Sequence, residues 1–119
     1  MPGMWLCRSD AMTEISFDTF SVRARGHSGA GTRGNDIVCA AVSVLVQALA
    51  QSLYDNMDLL RCFPRFEKGD GWADVSCTPD DGCEDQVRRM FSVARAGVAL
   101  LQARYPANVK IVENVREKS

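Results

Sequence analysis

Histidine is almost missing from this chain. His27 is the only one, which excludes zinc sites built from several imidazoles. The five cysteines, Cys7, Cys39, Cys62, Cys77 and Cys83, contain no Cys-x-x-Cys pair. Zinc would want clustered ligands, so neither a metal nor a cofactor is expected. Their odd number argues against a complete disulfide framework. Spacing allows a Cys77–Cys83 bridge, but reduced thiols in a cytoplasmic protein are the favoured reading. Excess charge is lacking too. The formal net charge is −1, so no global attraction draws the chain to nucleic acid or an anionic membrane. There is no repeat and no low-complexity linker. Met4-Trp5-Leu6-Cys7 is too short for a signal-peptide core, and Asp10 and Glu14 follow soon after. The apolar run from Ile37 to Ala50 contains Ser43 and Gln47 and is expected to fall short of a membrane span.

What is present fits one domain. A chain of 119 residues is long enough to bury a proper core. Residues 12–17 and 20–26 alternate in polarity and predict a hairpin around Asp18-Thr19. Residues 36–55 predict a first helix, apolar on most faces. Residues 59–66 predict a strand that Pro64 confines to a sheet edge or makes irregular. Glu67-Lys68-Gly69-Asp70-Gly71 reads as a turn, and Trp72–Cys77 as the next strand. A second helix is expected over about 83–104, with Val87, Met90, Phe91, Ala94, Val98 and Leu101 forming its core stripe. Pro106 ends it, and Val109–Val112 closes the fold as a strand. The order β-β-α-β-β-α-β predicts a single α+β domain, two helices packed with a small mixed sheet.

The chemistry concentrates between residues 26 and 43. His27 follows a strand in which Phe20, Val22 and Ala24 alternate with Ser21, Arg23 and Arg25. A loop containing Gly29, Gly31 and Gly34 leads to the first helix, for which Asn35 or Asp36 is the expected N-cap. Cys39 would then lie in the first helical turn, where the macrodipole favours a thiolate. Asp36, Cys39, Ser43 and Gln47 are spaced by three and four residues, so they share one helix face. A polar stripe on an apolar helix calls for partners or a cleft. A strand-end imidazole facing a helix-start thiol can act as base and nucleophile.

Ordinary readings compete with that one. A cysteine in an alanine–valine helix is often a small buried hydrophobe. A lone histidine is often a structural donor, and a glycine-rich loop before a helix can bind phosphate. Arg23, Arg25 and Arg33 cluster nearby. They serve either to solvate a strand face and a loop, or to meet an acidic partner or RNA.

Two sequence blocks carry a family resemblance. Gly26-His27-Ser28-Gly29, followed by Gly34-Asn35-Asp36-Ile37-Val38-Cys39-Ala40-Ala41-Val42-Ser43, resembles the signature of the ribosomal-processing cysteine protease family, Prp. That family carries a Gly-His-Ala-Gly-like element and a Gly-x-Asp-Ile-Val-Cys-Ala-Ala-Val-Ser block at this separation. The second block is close to verbatim here. Weaker similarity includes Gly69-Asp70-Gly71, the second helix and Tyr105-Pro106, so the resemblance covers about residues 12–119. Two departures leave the dyad untouched. Ser28 replaces the usual alanine, and residues 1–11 precede Met12, where family members usually begin.

The resemblance implies a cysteine endopeptidase with His27 as catalytic histidine and Cys39 as nucleophile. Asp36 and Ser43 would support the site, and Asp36 would cap the helix, orient His27, or both. The loop bearing Gly29, Gly31 and Gly34 would order over the bound peptide. The implied substrate is a large-subunit ribosomal protein with a short N-terminal extension, removed during ribosome maturation. A homodimer is implied. No membrane contact and no direct nucleic-acid binding are expected. Residues 1–11 are read as an N-terminal extension or mobile arm, and 12–119 as the protease domain. Two other function classes remain open at this level: a non-catalytic ribosome-associated adaptor, and a different thiol enzyme that transfers acyl groups.

Overall fold

The structure, a computed structural model, describes residues 12–26 and 33–113. The N-terminal extension, His27, Ser28, Gly29 and Gly31 lie outside the described residues.

Two strands open the domain, β1 (Thr13–Asp18) and β2 (Ser21–Arg25). They form the expected hairpin, with Asp18 opposite Ser21. The Asp18 carboxylate accepts the Thr19 N–H at 2.9 Å, a local bond that favours the turn. Helix α1 spans Arg33–Asp55, and strands β3 (Arg65–Gly69) and β4 (Trp72–Ser76) follow a short 3-10 turn at Met57–Leu59. Helix α2 (Glu84–Arg104) and strand β5 (Val109–Glu113) complete the β-β-α-β-β-α-β order. The strands make one five-stranded sheet ordered β3-β4-β2-β1-β5. It is mixed: β5 runs parallel to β1, and the other pairings are antiparallel.

Both helices cover one face of this sheet. Period-2 alternation turns Ile15, Phe17, Val22, Ala24 and Val75 towards them, and all five are buried. From α1, Val38, Val42, Val46, Leu49 and Leu53 enter the same core, and from α2 come Val87, Phe91, Ala94 and Val98. These recur at three- and four-residue spacing, as the sequence predicts for one helix face. Burying each large aliphatic contributes about 1.5–3 kcal/mol. Met90 and Leu101 pack at the edge of this core. The segment Ile37–Asp55 has mean hydropathy 1.8 and is long enough to cross a membrane by length and composition. This corrects the expectation that Ser43 and Gln47 would disqualify it. A third of this segment is buried, and Val38, Val42, Val46, Leu49, Ala50 and Leu53 pack it into the core.

Three boundaries differ from the sequence reading. Of residues 59–66, expected as a strand, only Arg65 and Phe66 are in one, as the start of β3. Asn56 leaves the helix with its side-chain amide donating to the Ser52 carbonyl at 2.8 Å, the 3-10 turn follows, and Leu60 bridges only to Pro79. Pro64 lacks an N–H for a ladder, so β3 begins after it, on the sheet edge where proline was expected to confine the strand. Glu67, Lys68 and Gly69 continue β3, so the turn shrinks to Asp70-Gly71. Helix α1 starts at Arg33, which places Gly34, Asn35 and Asp36 inside it and leaves none of them as the N-cap. First-turn positions tolerate asparagine and aspartate because the helix dipole favours acceptors and negative charge there. The propensity cost is below about 1 kcal/mol per residue.

Candidate active site

The early helix start moves Cys39 away from the N-terminus. A turn takes about 3.6 residues, so Cys39 lies in the second turn, beyond the reach of the dipole effect, which fades within the first. The cysteine at a helix start is instead Cys83, the N-cap of α2. Cys39, Cys62, Cys77 and Cys83 are all free thiols, so no Cys77–Cys83 bridge is formed. Burial, and secondarily the neighbouring Cys62, push the Cys77 thiol up to about 11. It stays protonated at neutral pH and is a poor nucleophile.

What sets Cys39 apart is a cleft of about 420 Å³ between α1 and the sheet. Cys39, Ser43 and Gln47 line it from the helix, as their shared face predicts. Cys39 is half-buried, whereas Ser43 and Gln47 are exposed. The opposite wall comes from the end of β2 and the β3–β4 hairpin: Ala24, Gly26, Phe66, Lys68 and Gly71. Thr13, at the start of β1, forms the floor. Its hydroxyl lies 4.0 Å from the Cys39 sulfur. A space of this size, mostly apolar with a few polar groups, suits an extended peptide segment.

The hairpin fixes the strand end that precedes His27. The Gly26 N–H donates to the Gly71 carbonyl at 2.7 Å. Gly71 turns at φ +81°, and a Cβ there would sit 2.8 Å from the Gly26 carbonyl oxygen. Only glycine meets both demands. Gly71→Ala is therefore expected to cost about 1–3 kcal/mol of stability in urea unfolding. It should also lower peptide cleavage at temperatures where the variant is folded. Gly82 is the matched control: it turns at φ +84° with nothing within 4 Å of an added Cβ. Gly82→Ala should destabilise without lowering turnover.

Arg23 and Arg25 lie on the sheet face away from the cleft. The Arg25 guanidinium meets Asp74 at 2.6 and 3.3 Å and stacks 5.6 Å from the Trp72 ring. Donating to the Asp74 carboxylate raises the Arg25 pKa further, so the guanidinium stays charged. Arg23 approaches the same carboxylate at 4.0 Å. The two strand arginines thus share one carboxylate on this face, and the Arg33 side chain lies outside the described residues.

Thr13 and the Gly26–Gly71 contact are parts of the site that the sequence does not announce. Gly69-Asp70-Gly71 gave a partial signal, as part of the family resemblance. Thr13 gave none, because a threonine opening a strand is ordinary.

A family model described as cysteine protease Prp matches residues 12–110. The chain belongs to this family. It is a Prp-type cysteine protease. Among solved structures, SMU.848 from Streptococcus mutans is similar, with a TM-score of 0.69 and 28% identity, over 86% of this chain and 93% of that one. The ribosomal processing protease Prp from S. aureus, in complex with a substrate peptide, shares the fold with a TM-score of 0.66 at 17% identity, over 87% of this chain and 98% of that one. A second structure of the S. aureus protease carries a covalently linked product peptide, with a TM-score of 0.63, 17% identity and the same coverage of both chains. No curated protein matches this sequence. The Prp-like block of this chain runs through α1, so it places Cys39 and Ser43 in the cleft.

Proposed function

We propose that this protein is the endopeptidase that removes the N-terminal extension of a large-subunit ribosomal protein during ribosome maturation. The observation that carries this reading is the convergence of Cys39, Ser43 and Gly26 on one peptide-sized cleft. His27 follows Gly26 directly in the sequence, and Gly26 lines this cleft. Cys39 is the nucleophile and His27 the base. The Cys39 sulfur attacks the scissile carbonyl as His27 takes the thiol proton. His27 returns that proton to the leaving amine, leaving a thioester that water hydrolyses. The thiol and imidazole balance the protons between them, so the chemistry requires no metal or cofactor. Asp36 precedes Cys39 by one turn on the same face and supports the dyad, and Ser43 follows it by one turn at the cleft. Gly29, Gly31 and Gly34 serve the peptide-binding segment. The amides at the start of α1, or those of the glycine-rich segment, are the candidate oxyanion donors. Within the interior of α1, the Cys39 N–H belongs to the helical ladder.

Fold sharing with the S. aureus ribosomal processing protease supports this substrate class. The test is incubation with a ribosomal protein carrying an N-terminal extension, read by product masses. Two fragments with one new N-terminus are expected. A reactive Cys39 without cleavage would assign a different acyl-transfer reaction. An unreactive thiol without cleavage would favour an adaptor.

The same reading includes a cytoplasmic homodimer that makes no membrane contact and does not bind nucleic acid directly. Val93 and Leu100 on α2 are 71% and 69% exposed, and Val44 on α1 is 65% exposed. Gly97, between Val93 and Leu100 on α2, packs so close to α1 that an added Cβ would sit 2.7 Å from the Leu45 side chain. Covering this apolar strip with a second copy would remove it from water. Light scattering should give a dimer mass for the native chain, and a monomer mass for the Val93→Glu, Leu100→Glu double variant. A monomeric native chain would end the homodimer assignment.

A further inference from the structure

Thr13 is the one buried polar or charged residue among the described residues, at 3% exposure. Its backbone is accounted for: the N–H donates to the Asn108 carbonyl at 2.8 Å, and the residue pairs with Val109 in the parallel ladder. Its hydroxyl is more weakly paired among the described residues: it has one hydrogen-bonding partner there, the Cys39 sulfur at 4.0 Å. That is long for a neutral thiol, and burying a hydroxyl so weakly paired costs stability. Valine has nearly the same shape, suits a strand at least as well, and would avoid this cost. A residue that works against stability beside a reactive group points to a role in the reaction.

The surroundings aim the hydroxyl. A Cβ on Gly26 would lie 3.0 Å from the Thr13 Oγ1. The hydroxyl therefore fits between the Cys39 sulfur and the residue that precedes His27. Nothing larger than glycine at position 26 would leave it undisturbed. We propose that Thr13 is a positioning residue for the nucleophile: its hydroxyl donates to the Cys39 sulfur and holds it as the thiolate forms. This rests on the assignment of Cys39 as nucleophile.

The hydrogen bond strengthens when the sulfur becomes negative, because bonds to ionised acceptors are about twice as strong as neutral ones. A long contact in the free enzyme is compatible with this, since catalytic hydrogen bonds often tighten only in the reacting complex. The hydroxyl keeps its own proton throughout. The thiol proton still goes to His27, and the new carbon–sulfur bond forms from the oriented thiolate. The other charged side chains lining this cleft, among the described residues, are Lys68 and Asp70. Both are unchanged in the variants that test the idea.

Three variants, Thr13→Val, Thr13→Ser and Thr13→Ala, are compared by thermal unfolding, peptide cleavage, and iodoacetamide labelling of Cys39 followed by peptide mass. Thr13→Val should keep or raise thermal stability. Its kcat should fall about tenfold with little change in KM, the scale of one charge-assisted hydrogen bond. Its labelling rate should fall to a similar degree near neutral pH, while agreeing with the native rate at alkaline pH, where the thiol is ionised in both. Thr13→Ser should restore the native pH profile despite losing a methyl group, and Thr13→Ala should not. Should valine prevent folding, serine against alanine makes the same comparison. Identical labelling profiles and kcat in variants with and without the hydroxyl would overturn the proposal. Cleavage that survives Cys39→Ala would instead overturn the nucleophile assignment on which it rests.

Discussion

Cys39→Ala is expected to abolish peptide cleavage, by about 10⁴-fold or more, while leaving the fold in place. The magnitude follows from covalent catalysis: without the sulfur no thioester forms, and residual rate comes only from binding and charge stabilisation. The fold should survive because Cys39 is half-buried at a cleft wall rather than enclosed in the core. The neighbouring helix positions Val38 and Val42 carry the packing there. Loss of one sulfur at such a site costs at most about 1 kcal/mol. The companion variant replaces Cys7, Cys62, Cys77 and Cys83 together by alanine or serine, and it should retain cleavage. This pair of measurements is sharper than helix position alone can make it. Cys83 is the thiol at a helix N-terminus, so a mechanism driven by the helix dipole would select Cys83. A mechanism driven by the cleft selects Cys39. Activity in Cys39→Ala, with loss in the folded four-cysteine variant, would move the nucleophile out of the cleft.

The parts of this molecule that were legible in its sequence are those encoded locally. Period-2 alternation in residues 13–25 and the three-four stripe of α2 each describe a few turns of chain, and the structure follows them. The shared face of Cys39, Ser43 and Gln47 was legible for the same reason, and it lines the cleft. The start of α1 was misplaced because Asn35 and Asp36 are good caps and also acceptable first-turn residues, so composition alone does not choose. The strand expected over 59–66 begins only at Arg65, because an apolar stretch carries no period of its own to fix its bounds. There the side-chain bond from Asn56 and the ring of Pro64 decided the path. The opposite wall of the cleft was invisible. The Gly26–Gly71 hydrogen bond and the Thr13–Cys39 contact join residues far apart in the chain, and no local pattern announces either. The candidate site residues came from a motif close to verbatim, whereas the cleft that Cys39 and Ser43 line depends on the sheet order that places β4 beside β2.

His27→Ala is expected to slow cleavage by about a hundredfold or more, the usual scale for losing a general base. Substrate affinity should change little, so the loss falls mainly on kcat. The effect should be smaller than that of Cys39→Ala, because a thiol ionises to a small extent without help and retains some nucleophilicity. Two properties separate loss of a base from loss of structure. Added imidazole should recover part of the rate in His27→Ala and none in Cys39→Ala. Raising the pH should also narrow the gap between His27→Ala and the native chain, because hydroxide takes over thiol deprotonation, although proton return to the leaving amine stays impaired. Circular dichroism and thermal unfolding check that the variant is folded. Near-native turnover in a folded His27→Ala protein would assign the proton transfer elsewhere. As this is the only histidine of the chain, the base would then have to be a carboxylate or an amine, and Asp70 and Lys68 at the cleft would be the next residues to replace.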